Sequence, residues 1–113
     1  MVLGEVPDER FRELIEDLEL AGAVSVEGGE LVLSEELRRL WREYAQVLTH
    51  LVPGLSTRDV IVISLAWAML TMLYRARRRL GFPEKRALDF SEDYVSDVIA
   101  LANAIVDALE GER

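Results

Sequence analysis

Apolar residues recur at intervals of three and four through four segments of the chain, and one further segment has the pattern of a hairpin. The first periodic segment spans residues 8–21, where Phe11, Leu14, Ile15 and Leu18 form one helical stripe and Glu9, Glu13, Glu16, Asp17 and Glu19 fall elsewhere on the wheel. Gly22 is the expected stop, since it enters the left-handed region without a Cβ clash. Residues 23–33, AVSVEGGELVL, alternate in the manner of a β-hairpin turning at Gly28-Gly29. That register sets Val26 opposite Leu31 and Val24 opposite Leu33, and predicts one apolar face that must lie on a helix, because a lone hairpin is only marginally stable.

The second helix is predicted over residues 35–52. Ser34 is its N-cap, Leu37, Leu40, Trp41, Tyr44, Val47, Leu48 and Leu51 form its buried stripe, and Pro53-Gly54 ends it. A fourth helix is expected over residues 90–110, capped by Asp89 or Ser91, with an apolar face broad enough to meet two neighbours.

Between them lies the third helix, residues 57–80, with Ser56 as N-cap and Gly81 as stop. Its stretch from Val60 to Tyr74 is fifteen residues without a charge and apolar on every side. Such a helix is either enclosed by other elements or set in a membrane. Fifteen residues span about 22 Å, short of the roughly 30 Å of a hydrocarbon core, so a buried central helix is expected and no membrane span. The fold class that follows is mainly α: a single four-helix bundle-like domain with a fully apolar central helix and one short β-hairpin between its first two helices. Three helices barely enclose a fourth of this kind, so a homodimer is expected.

Composition changes this picture little, with 113 residues, 50% hydrophobic and 30% charged, in the range of one folded domain. The absence of cysteine removes disulfides, thiolate metal sites and thiol nucleophiles together. No leader pattern opens the sequence, and a cytoplasmic location is expected. His50 is the one histidine, HExxH and zinc spacings are missing, and Gly28-Gly29 lacks the flanks of a phosphate loop. Neither an enzyme nor a bound metal or cofactor is therefore expected.

Charge is more informative in its distribution than in its net value of −8. Residues 1–36 carry eleven acids against two arginines, residues 37–86 carry ten basic groups against three acids, and residues 87–113 carry seven acids against one arginine. Within the basic middle, Arg38, Arg39 and Arg42 lie on the outer face of the second helix. Arg75, Arg77, Arg78 and Arg79, with Lys85 and Arg86 beyond, form a collar at the end of the third. Such a collar favours the negative end of the helix dipole and pairs with acidic neighbours. It is also the candidate phosphate-binding surface, were nucleic acid the partner.

The segment Leu14 to Ser34, LIEDLELAGAVSVEGGELVLS, resembles the second half of a winged-helix domain, with an LExAG helix ending, a strand, a glycine turn and a returning strand that runs into a cap. The resemblance covers about a fifth of the chain. Glu13, Glu16, Asp17 and Glu19 on the helix would repel phosphate, so it implies a wing used for packing or protein contact and not for reading DNA.

Two functions are expected on these grounds. The first is a helical protein-interaction module, an adaptor or small subunit of a larger assembly, that self-associates or binds another protein through Trp41 and Tyr44 or through Val98, Leu101 and Ile105. The alternative is a nucleic-acid-associated protein that binds through its arginines.

Overall fold

A computed structural model describes residues 2–5, 11–80 and 92–111. Its elements in chain order are β1 (Val2–Glu5), α1 (Arg12–Leu20), β2 (Val24–Glu27), β3 (Glu30–Leu33), α2 (Glu35–Leu51), α3 (Thr57–Leu80) and α4 (Glu92–Gly111). The mainly α fold, the four helices and the hairpin between the first two are as the hydrophobic pattern predicts. The residues before Phe11 that the first helix was expected to include, and the expected signals at Gly81, Asp89 and Ser91, lie outside the described residues.

Local chemistry accounts for the boundaries. Gly22 takes φ 77° and ends α1. Its amide bonds the Glu19 carbonyl at 3.0 Å and the Ala23 amide bonds the Leu18 carbonyl at 2.9 Å, the two bonds that close a Schellman ending. Gly28 and Gly29 both have positive φ, which lets β2 and β3 pair in the expected register, Val24 with Leu33 and Val26 with Leu31. Val24, Leu31 and Leu33 are buried, but Val26, next to the turn, is exposed, so the inner face of the hairpin is three residues and not four. The strand β1, which no alternation announces, pairs antiparallel with the far edge of β3 and completes a sheet of order β1-β3-β2.

The Ser34 hydroxyl accepts from the Leu37 amide at 3.1 Å, and that of Ser56 from the Asp59 amide at 3.1 Å. Each satisfies a donor that the first turn of a helix leaves without an intrahelical partner. Ser34→Ala is therefore expected to cost about 1 kcal/mol, read as a lower midpoint in urea unfolding at unchanged slope.

The helix α3 is the axis of the core, packing against α2, α4 and α1. Leu65, Ala68, Met69, Leu73 and Ala76 are fully enclosed, and Leu18, Leu33, Leu37, Val98, Leu101 and Ile105 close around them. Small residues on the inward side, Ser64, Ala66, Ala68 and Ala76, keep the neighbouring helices close. Buried Ser64 is satisfied within its own helix, its hydroxyl lying within bonding reach of the Val60 and Ile61 carbonyls.

At 24 residues α3 outruns its uncharged stretch and extends about 36 Å. Thr57–Arg79 is long and apolar enough to cross a membrane, yet half of its most apolar window is buried inside the chain itself.

Two polar ties pin the long helices. Arg58, at the start of α3, reaches α4, with its guanidinium 2.7 Å from Asp107, 3.1 Å from Glu110 and 3.2 Å from the Asn103 side-chain oxygen. Asp17 of α1, assigned by the periodicity to the outer acidic face, is instead 2% exposed. The Tyr94 hydroxyl of α4 donates to its carboxylate at 3.4 Å.

Candidate functional site

The pairing of α2 with α3 is antiparallel, and two contacts share one register while a third ties the helices on another flank. Near the start of α2, Glu36 lies 3.8 Å from Arg75. Further along, the Tyr44 ring stacks on Trp67, with centroids 4.0 Å apart and planes 15° from parallel. On the other flank of α2, the Trp41 indole N–H donates to the Ile61 carbonyl at 3.0 Å. Tyr44 and Trp67 thus mark one side of the helix pair, and Trp41 with Ile61 the other.

The Tyr44–Trp67 side carries the largest exposed apolar groups of α3. Ile63 is 42% exposed, Trp67 38% and Tyr74 48%, while Leu70 between them is half-buried. At 100° per residue these four fall within a single arc, of which Ile63, Trp67 and Tyr74 are exposed and Leu70 packs in part against the core. One and two turns beyond Tyr44 on α2, Val47 and Leu51, expected in the buried stripe of that helix, are instead 41% and 69% exposed, because α3 covers only the first half of the stripe fully. The result is a band of aromatic and branched side chains along the outside of the α2–α3 pair. Scattered exposed apolar residues are ordinary in soluble proteins, but contiguous ones of this size mark contact surfaces.

The expected interface residues divide on this geometry. Trp41 and Tyr44 are both half-buried, each holding α2 to α3. Val98, Leu101 and Ile105 are enclosed in the chain's own core, so the expected apolar surface on α4 is corrected: the broad face of α4 is taken up by α3 and the sheet side of the fold. The residues that the periodicity did not single out are Ile63, Trp67 and Tyr74. A signal for them was present in the size pattern of α3, where small residues turn inward and the aromatic ones outward.

Arg38 and Arg42 flank Trp41 and, with Ala45, line a cleft of about 300 Å³ on the opposite side of α2. The Nε of Arg38 is buried with no hydrogen-bond partner among the described residues. Arg39 is exposed on the outer face of α2. Of the collar, Arg75 faces Glu36, the Arg78 guanidinium lies 5.9 Å from the centroid of the Tyr74 ring, Arg79 is exposed and Arg77 is half-buried. Lys85 and Arg86 lie outside the described residues. Because α2 and α3 run antiparallel, the two arginine groups gather at one end of the helix pair. His50 is exposed in the last turn of α2, away from that end. Among the described residues, no group of three or more His, Asp or Glu side chains is placed to hold a metal ion.

Fold and surface together define a small helical domain with an antiparallel sheet at one end and an outward aromatic band. In comparisons with known proteins, no family model matches the chain, and neither a curated protein nor a solved structure is significantly similar to it.

Proposed function

We propose that this chain is a non-enzymatic helical interaction module that self-associates through the outer band of α2 and α3. One observation carries it: α3 completes its own core with Leu65, Met69 and Leu73, and still presents Ile63, Trp67 and Tyr74 to solvent. Trp67 and Tyr74 have partners within the chain, the Tyr44 ring and the Arg78 guanidinium, and still keep 38% and 48% of their surface in water. Removing them from water on association is favourable in rough proportion to the apolar area covered. Aromatic residues at the centre of a patch are also the usual anchors of protein interfaces. Sedimentation equilibrium at micromolar concentration is expected to return twice the chain mass of 12.8 kDa. A single species at the chain mass over the whole range removes this function.

A second function is favoured by the grouping of arginines at one end of the helix pair and by the inward Nε of Arg38 beside the Trp41 cleft. A phosphate or carboxylate there would meet two guanidiniums and an aromatic wall. On this account single-stranded nucleic acid binds with an affinity that falls steeply with salt, and Arg38→Ala with Arg42→Ala flattens that dependence by about two charges. Fluorescence anisotropy with a labelled oligonucleotide at low ionic strength checks it, and the absence of binding there excludes it.

A further inference from the structure

The outward arc of α3 carries residues whose spacing, but not whose chemistry, is the same from either end, so that each meets a different type in a reversed copy. Its members are Asp59, Ile63, Trp67, Leu70, Tyr74 and Arg78, separated by four, four, three, four and four residues. Asp59 and Arg78 are exposed at the two ends, about 28 Å apart along the helix, with opposite charges. An acid near the N-terminus and a base near the C-terminus each suit the helix dipole in a single copy; between them Trp67 stacks on Tyr44 and Arg78 lies over Tyr74, while Ile63 is left 42% exposed.

From this symmetry we infer that two copies pair antiparallel through α3, related by a twofold axis that passes at the level between Trp67 and Leu70. The inference rests on the self-association proposed above and names its geometry. A twofold contact is self-complementary, so whatever one residue touches must touch it back from the other copy. In this register Asp59 meets Arg78 of the second copy, Ile63 meets Tyr74, and Trp67 meets half-buried Leu70. Each match occurs twice. A bulky ring faces an aliphatic side chain at every apolar level, which lets the two surfaces interdigitate. A parallel pairing sets Asp59 against Asp59 and Arg78 against Arg78, two like-charge contacts at the ends of the helix. The stacked Tyr44–Trp67 pair stiffens the middle of the surface before association, which lowers the ordering cost of binding. The occupant is a second copy of this chain, since the charges at the two ends complement their own reversed image.

The chain contains no cysteine, so introduced thiols report without background. Asp59→Cys and Arg78→Cys chains are mixed in equal amounts, treated with a short bismaleimide and resolved by mass spectrometry. Ile63→Cys with Tyr74→Cys serves as a second pair. The mixed Asp59→Cys–Arg78→Cys product is expected to exceed both same-variant products, whose share falls to that of the unfolded control. Predominance of same-variant products overturns the antiparallel register in favour of a parallel one. A chain that sediments as a dimer but yields no cross-link from either pair overturns the use of this face, while leaving self-association in place. A chain that sediments as a monomer throughout overturns the self-association beneath it.

Discussion

Leu101→Ala is expected to destabilise the fold by about 2–5 kcal/mol, the range found when a fully enclosed leucine is cut back to its Cβ. Leu101 is 0% exposed, with Val98 and Ile105 of the same helix beside it and the inward side of α3 across from it. The loss has two parts, the transfer of the removed methyl groups and the cavity left where packed neighbours relax only in part. A loss of that size is a large share of the stability of a domain this small. Urea unfolding followed by circular dichroism checks it, with a lower midpoint at unchanged slope as the expected result. A change below about 0.5 kcal/mol would mean that Leu101 lies at a surface, as its place in the broad apolar face of α4 first suggests.

Trp67→Glu is expected to raise the dimer dissociation constant about thirtyfold or more, the effect of removing a central aromatic anchor, at a separate cost of about 1 kcal/mol to the single chain for the lost stack on Tyr44. The glutamate faces water in a single copy and needs no desolvation there. In the pair it must be buried against Leu70 of the second copy, where no cation is in reach. Sedimentation of the variant beside wild type over a common concentration series checks this. Equal association of the two would place the interface elsewhere. Together the two substitutions separate what holds the chain together from what it presents, since Leu101 and Trp67 sit on opposite sides of the same helix packing.

A helical wheel places Leu101 in an open apolar face and leaves Trp67 unmarked, because of what such a wheel records. Periodicity locates a helix by contrast between apolar and polar sides, and in α2 that contrast is strong: Leu37 and Leu40 are buried where the wheel puts them, and Ser34 caps where its hydroxyl can reach an amide. The turn at Gly28-Gly29 is equally local, because two adjacent positive φ values are met cheaply only by glycine. In α3 the contrast vanishes. With every side apolar, only the two aromatic rings mark an outward side, since the large Leu65, Met69, Met72 and Leu73 turn inward, and the approach of other helices decides the rest, which is a property of the whole fold. The same reason explains α4, whose wide apolar face gives no mark of where one neighbour ends and another begins.

Asp17 is hidden from the wheel for a different reason. On the wheel it lies among Glu13, Glu16 and Glu19, yet it is buried, and the hydroxyl of Tyr94, 77 positions further along, reaches its carboxylate. The strand β1 is similar: four residues with no alternation become a strand because β3 offers them a free edge. Contacts of such long sequence separation leave no periodic trace.

The account turns on whether Trp67 leaves water when the chain associates, and fluorescence reads that directly. The chain has two tryptophans, and Trp41→Phe leaves Trp67 as the reporter, at a cost of about 1 kcal/mol for the lost bond to Ile61. Emission of this variant, followed through a dilution series, is expected to move to longer wavelength as the dimer separates, with a midpoint matching that of the mass. Emission that stays constant while the mass falls by half would show that the copies meet through another face, and would contradict the assignment of α3.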